Sequence, residues 1–298
     1  MSTAPALPAW PIIDAIIDRA LEEDLAGGDL TTDACVAPSI EAVGRFAARK
    51  ALVVAGAPVA ARVFSRLDPT MQAEQHVGEG SLAKAGEAVM TIRGSARAML
   101  RGERVALNLV QRMCGIATQA RAYVAAIPAG ATTRVVDTRK TTPGLRVLER
   151  YAVRAGGAHN HRDSLGSAVL IKDNHLVAAG GVAAAIAACR AAAPHTSRIT
   201  CEVDTLSQLD EALAAGADVI LLDNMDDATT AEAMRRIRTK PGVLAEASGG
   251  ITLARIAELA RIGVDVISVG ALTHSAPAAD LGLDIELVGP RAATLPNG

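Results

Sequence analysis

From residue 134 onward the chain alternates short β-type runs with Ala-rich or amphipathic helical segments, and this alternation constrains the fold more than any other feature. Strands are expected at 134–136, 168–171, 198–201, 219–222, 243–245 and 264–269. A helix between consecutive strands requires a parallel sheet with right-handed crossovers, either open or closed as a barrel. Each expected strand runs into a polar or glycine cluster, at 137–140, 172–174, 202–204, 223–224, 246–250 and 268–270. Parallel strands bring all of these ends to one face, which is where an α/β barrel carries its active site. Roughly six strand-helix units are fewer than the eight of the complete fold, so an incomplete barrel is expected. Ser248-Gly249-Gly250, before a helix expected to start near Thr252, and Gly270-Ala271 after the last strand suit a phosphate, because glycine permits close backbone approach.

The first third reads differently. Pro11, Ile12, Ile13, Ile16, Ile17, Ala20 and Leu21 have helical spacing, and the helix should stop at Ala26-Gly27-Gly28. Short β-type runs follow at 44–48, 52–55, 74–77 and 88–92, with a helix at 59–67, which together predict a smaller α+β domain with a mostly antiparallel sheet. Residues 98–127 have helical periodicity interrupted near Cys114-Gly115, so one bent helix or two consecutive helices should connect the halves.

A net charge of −2, with one Trp, two Tyr and two Phe in 298 residues, argues against nucleic acid as a partner. Cys35, Cys114, Cys189 and Cys201 have neither disulfide nor zinc spacing and read as small buried thiols of a reducing compartment. The early acids Asp14, Asp18, Glu22, Glu23 and Asp24 do not resemble a secretory signal, and no stretch is apolar and long enough for a membrane span. A cytoplasmic protein that avoids membranes is the expectation.

Arg139, Lys140, His161, Arg162 and Lys172 fall at strand ends, where their mutual repulsion calls for an anionic ligand or neighbouring carboxylates. Arg offers a planar fork and Lys a point charge, so the mixture suits a ligand carrying carboxylate and phosphate. Glu202 and Asp223 end consecutive apolar strands. They could ligate Mg²⁺, hold ribose hydroxyls, stabilise developing positive charge, or serve as counterions to Lys140 or Lys172. His161 reads as a hydrogen-bonding clamp for a carboxylate in preference to a proton donor. His159 and His175 read as packing or orienting residues, while His76 and His195 show no partner in the pattern.

Several long motifs, in order, resemble one family. Asp137-Thr138-Arg139-Lys140-Thr141-Thr142-Pro143-Gly144-Leu145-Arg146, Asn160-His161-Arg162, Ile171-Lys172-Asp173-Asn174-His175, Ala247-Ser248-Gly249-Gly250-Ile251 and Ser268-Val269-Gly270-Ala271-Leu272-Thr273-His274 resemble quinolinate phosphoribosyltransferases. Glu23-Asp24-Leu25, Gly28-Asp29-Leu30-Thr31-Thr32, Glu103-Arg104 and Ala106-Leu107-Asn108 extend the likeness over nearly the whole chain. It implies an α/β protein with an N-terminal α/β sandwich domain (1–115) and an incomplete, TIM-like α/β barrel (116–275) of the type II phosphoribosyltransferase kind, with the tail 276–298 returning to the first domain.

The same resemblance implies quinolinate and phosphoribosyl diphosphate as substrates, Mg²⁺ as cofactor, nicotinate mononucleotide, diphosphate and CO₂ as products in NAD biosynthesis, and a homodimer with shared sites. Carried over by position, Arg104, Arg139, His161, Arg162 and Lys172 would bind quinolinate, Arg104 from the other subunit. Lys140 would meet the diphosphate, and Glu202 and Asp223 would hold the ribose and Mg²⁺. Ser248, Gly249, Gly250, Gly270 and His274 would cradle the 5′-phosphate, with Thr138, Val269 and Ala271 also contacting substrate. Lys140, Glu202 and Asp223 would carry the catalysis. The competing readings are a related transferase acting on nicotinate, a barrel aldolase with Lys140 or Lys172 as Schiff base, and a non-catalytic binding module. The first ten residues and the tail after Pro290 match nothing and are expected to be disordered.

Overall fold

A computed structural model of the chain describes residues 5–288; the first four residues and residues 289–298, with the tail after Pro290, lie outside it. In chain order the elements are α1 (Trp10–Leu25), α2 (Leu30–Cys35), β1 (Glu41–Ala48), β2 (Leu52–Val53), α3 (Ala57–Leu67), β3 (Gln72–Gln75), β4 (Leu82–Ala83), β5 (Ala88–Ser95) and α4 (Ala96–Ala125). They continue as β6 (Arg134–Val136), α5 (Arg146–Ala155), β7 (Val169–Ile171), α6 (Asp173–Ala179), α7 (Val182–Ala192), β8 (Ile199–Val203), α8 (Leu206–Ala214) and β9 (Val219–Asp223). The last are α9 (Asp227–Ile237), β10 (Leu244–Ser248), α10 (Ile256–Ile262), β11 (Val266–Ser268), α11 (Ala271–His274) and β12 (Leu281–Val288). Among these, no single helix is long and apolar enough to cross a membrane.

The chain forms two compact units. One comprises the described residues up to Gln119, Thr142–Gly157 and those from Ala276 on; the other comprises Ala120–Thr141 and Ala158–Ser275. A single cut after residue 115 therefore misses the excursion of 142–157 into the first unit. The reason is chemical: Glu149, 1% exposed, accepts from Arg112 Nε at 3.0 Å and from Thr142 Oγ1 at 2.7 Å. A buried carboxylate needs such partners, and the pair fastens α5 to α4.

The first unit is built on an antiparallel sheet in the order β12-β1-β5-β3. The returning strand β12 pairs along the full length of β1, from Glu41 opposite Val288 to Ala48 opposite Leu281. Ile13, Ile17 and Leu21 form the buried stripe of α1, and Phe46 meets Phe64 edge-on at 6.0 Å in the core. The strand expected at 74–77 lies two residues earlier, because β3 is an edge strand with all four residues exposed and so lacks apolar alternation.

At the start of α3, Gly56 adopts a left-handed φ of 91° and its N–H donates to Glu79 at 2.6 Å, while Tyr151 donates its hydroxyl to the same carboxylate at 2.6 Å. Burial and the Glu79 charge push the Tyr151 phenol well above its usual range. The interruption expected at Cys114-Gly115 is absent, since α4 runs unbroken for 30 residues. A Cβ on Gly115 would lie 2.0 Å from the carbonyl oxygen of Pro277, so this glycine serves the close approach of the returning tail.

The second unit is a parallel sheet in the order β6-β11-β10-β9-β8-β7. The first and last of its strands, β6 and β11, are neighbours, as barrel winding requires, whereas β6 and β7 remain the two edges and leave the barrel incomplete. Outside β6 the described residues add one parallel bridge, between Val136 and His159.

A repeated device holds the opposite ends of the strands. In Gly216-Ala217-Asp218-Val219-Ile220, Asp218 accepts from Ile199 N–H at 2.7 Å and from Arg190 at 2.8 Å. In Gly263-Val264-Asp265-Val266-Ile267, Asp265 accepts from Ala245 N–H at 2.8 Å and from Arg238 at 2.9 Å. Both glycines have positive φ and let the chain turn from helix into strand.

Candidate active site

Strand register decides which side chains meet. In the parallel ladder Glu202 is opposite Leu221, Leu221 opposite Glu246, and Glu246 opposite Val266; one step further on, Asp223 is opposite Ser248. Side chains two residues apart share a face, so those of Leu170 and Lys172, Glu202, Leu221 and Asp223, Glu246 and Ser248, and Ser268 all project to one side, where the Gly270 backbone also lies. They line a cavity of about 630 Å³ together with Thr138, Arg139, Lys140, His161, Arg162, Asn224, Gly249, Gly250, Ile251, Ala271 and His274. Four lysines and arginines thus surround three carboxylates in one cleft of the second unit.

Asp137, fully buried at the end of β6, organises the entrance segment. Its carboxylate accepts from Asn160 Nδ2 at 2.6 Å and from the His161 backbone N–H at 2.7 Å. Arg162 donates from its side chain to the Ala168 carbonyl at 2.9 Å. Burial and the neighbouring Arg139 charge lower the Arg162 guanidinium from its ordinary value, and Arg139 keeps a buried Nε without a hydrogen-bond partner. Two crowded guanidinium groups, one with an unused donor, are what a bound carboxylate would relieve.

Lys172 donates to Glu202 at 2.5 Å, so the counterion role considered for Glu202 is realised in the free protein. Asp223 accepts from Asn224 Nδ2 at 2.7 Å. The strand-end loop carrying Lys140 is tied down by Thr273, whose hydroxyl donates to the Lys140 carbonyl at 2.8 Å. Gly270 accommodates both Lys140 and His274, since a Cβ there would approach Lys140 Cδ at 3.1 Å and the His274 ring at 3.2 Å.

Gly249 and Gly250 have φ of 84° and 55°, and Asn224 is the one described non-glycine residue with positive φ, at 53°. A turn of this kind lets backbone approach a ligand closely, which suits the two glycines to an anion at the cavity wall. The helix expected near Thr252 begins only at Ile256, after a 3-10 turn over Leu253–Arg255, so the cradle is formed by loop backbone.

The structure brings fourteen of the sixteen expected site residues to this cavity. Val269 is instead buried, its N–H bonded to the Val136 carbonyl at 2.9 Å, because the strand alternation turns it to the other face. Arg104 is an exposed residue of α4 in the first unit and does not line the cavity. Glu246 and Asn224 do line it, although sequence reasoning gave neither a role; a carboxylate amid the apolar run of β10 was the available signal for Glu246.

His175 accepts the Lys172 backbone N–H on Nδ1 at 2.9 Å, in keeping with an orienting role. His76, which had no evident partner in the pattern, is bonded through Nε2 to Thr91 Oγ1 at 2.7 Å. Of the cysteines, Cys114 and Cys201 are buried, with burial pushing their thiols up to about 12 and about 11, but Cys35 is exposed at the end of its short helix. Among the described residues no group of three or more His, Cys, Asp or Glu could hold a metal ion. Glu202 and Asp223, on adjacent strands and one face, fit Mg²⁺ only in its usual manner, as one or two carboxylates completed by substrate oxygens.

Known proteins resemble this chain in sequence and in fold. Residues 29–114 match the quinolinate phosphoribosyl transferase N-terminal domain, and residues 116–284 match its C-terminal domain. Nicotinate-nucleotide pyrophosphorylase (carboxylating) of Mycobacterium leprae is 45% identical over 276 residues, covering 90% of this chain and 95% of the relative. The human protein of the same name is 41% identical over 273 residues, 91% of each chain. The crystal structure of NadC from Streptococcus pyogenes superposes with a TM-score of 0.90 at 38% identity, over 96% of this chain and all of that one. With both domain matches in order across most of its length, the chain belongs to the quinolinate phosphoribosyltransferase family.

Proposed function

We infer that the chain is a carboxylating nicotinate-nucleotide pyrophosphorylase of NAD biosynthesis. It joins quinolinate to the ribosyl phosphate of phosphoribosyl diphosphate, releasing diphosphate and CO₂ and leaving nicotinate mononucleotide. The observation that carries this reading is the single cavity in which four lysines and arginines, three carboxylates and a glycine cradle meet. One carboxylate on a pyridine would not need so many cations.

Arg139, Arg162 and Lys172 hold the two carboxylates of quinolinate, with His161 beside them. Lys140 neutralises the departing diphosphate. Glu202 and Asp223 face the ribose, where carboxylates stabilise the positive charge that develops as the C1′–O bond breaks. The ring nitrogen then bonds to C1′; the nitrogen, now positively charged, stabilises the electron pair left on C2 as CO₂ departs, and C2 takes a proton. Mg²⁺, when bound by Glu202, Asp223 and substrate oxygens, supplies countercharge for the phosphates. The protein contributes orientation and electrostatics.

Incubation with phosphoribosyl diphosphate, Mg²⁺ and either pyridine acid tests this. CO₂ and diphosphate should appear in equal amounts with quinolinate, and removal of Mg²⁺ by a chelator should abolish both. Turnover of nicotinate in place of quinolinate would overturn the reading.

We further propose a homodimer in which Arg104 of one subunit completes the site of the other. Mixing Arg104→Ala with Lys140→Ala protein should recover about a quarter of wild-type activity, because half of randomly formed dimers are mixed and each holds one intact site. No recovery in verified mixed dimers refutes the shared site.

A further inference from the structure

The strands that floor the cavity place two carboxylates on either side of Leu221: Glu202, which Lys172 compensates, and Glu246. Glu246 lies in mid-strand between Leu221 and Val266 and is 4% exposed. A carboxylate so placed is strongly unfavourable unless a partner compensates it, and sequences keep such local conflicts mainly where function requires them. Its Oε1 is buried without a hydrogen bond of good geometry, yet lies 3.3 Å from Nε2 of His161.

The other ring nitrogen of His161 is already committed, since Nδ1 accepts the Arg162 backbone N–H at 2.7 Å. An acceptor at Nδ1 puts the ring proton on Nε2, the atom that meets Glu246. The main chain of His161 is meanwhile anchored on Asp137 at 2.7 Å. One buried carboxylate thus fixes the backbone of this residue and a second meets its ring. The ring contact is long, so the same N–H can be shared, as a three-centre hydrogen bond, between Glu246 Oε1 and a second acceptor in the cavity.

We propose that Glu246 is a positioning residue for His161, setting the angle at which Nε2–H meets a carboxylate of the acid substrate. The inference rests on the quinolinate reading for its substrate, but the pair itself does not. Glu246→Ala should raise the KM for quinolinate about tenfold or more and leave that for phosphoribosyl diphosphate within about twofold. Glu246→Gln, which keeps an acceptor, should stay within about threefold of wild type. In a His161→Ala background, Glu246→Ala should add less than about twofold, because its partner is already gone.

The pair can also be read without turnover. Proton NMR should show an exchange-protected imidazole N–H, assigned to His161 by its loss in His161→Ala, retained in Glu246→Gln and exchanging freely in Glu246→Ala. Effects of Glu246→Ala and His161→Ala that multiply overturn the proposal, since Glu246 would then act by itself. Equal rises in both KM values, or Glu246→Gln as damaging as Glu246→Ala, overturn it too. If Glu246→Ala does not fold, the N–H signal and KM of Glu246→Gln decide. If wild-type protein does not turn over quinolinate, the functional reading fails, and the protected N–H still decides whether Glu246 holds His161.

Discussion

Replacing Lys172 by alanine is expected to lower kcat/KM for quinolinate by about two to three orders of magnitude while changing the KM for phosphoribosyl diphosphate by less than about threefold. Two effects add in the first number. The charge-assisted contact to a substrate carboxylate is lost, and Glu202, whose side chain is 11% exposed, loses the ammonium that compensates it at 2.5 Å. An uncompensated carboxylate would then repel the acid substrate from the same cavity. Arg139→Ala should fall in the same direction, since its buried Nε has no protein partner to satisfy. Steady-state kinetics with each substrate varied in turn checks this, with thermal unfolding as a control for folding. Equal losses for both substrates in a folded variant would mean that these cations do not form the carboxylate half of the site.

Gly249→Ala should damage the other half. A Cβ at this position would lie 2.2 Å from Asn224 Oδ1, 2.4 Å from its Cγ and 2.8 Å from its backbone nitrogen, and φ is 84°. The left-handed conformation and the clash together are expected to destabilise the protein by about 3 kcal/mol. They should also raise the KM for phosphoribosyl diphosphate at least about tenfold, with a smaller change for quinolinate, because the clash reorients the cradle N–H groups. Adding Asn224→Gly removes the two nearest atoms but leaves the backbone nitrogen, so the double variant should recover part of the loss. Urea unfolding and the two KM values measure it. A Gly249→Ala protein with wild-type stability and kinetics would show that the loop relaxes freely and that its geometry does not hold the phosphate.

How far the site could be read beforehand varied with the physics of each residue. Lys172, Glu202, Asp223 and Ser248 were legible because parallel strands bring their ends to one face, whichever order the strands take. Val269 lies outside the cavity lining since motif likeness carries no side-chain direction, and alternation turns its side chain to the other face of the sheet. Glu246 went without a role because one carboxylate in an apolar run has no signature until its opposite, His161, arrives from a distant loop. Gly115 looked like a helix break since glycine weakens helices, whereas its actual neighbour, Pro277, lies far along the chain.

The strand and helix pattern, the six parallel strands, the cations at their ends and the family were determined by local periodicity and motif order, which the sequence contains in full. Only the tertiary structure decided that residues 142–157 join the first unit through Glu149, that β6 and β7 remain edges, and that Lys172 compensates Glu202. Each of those depends on groups far apart in the chain meeting with a definite geometry, and the free energy of such a meeting arises from burial and pairing that no single segment carries.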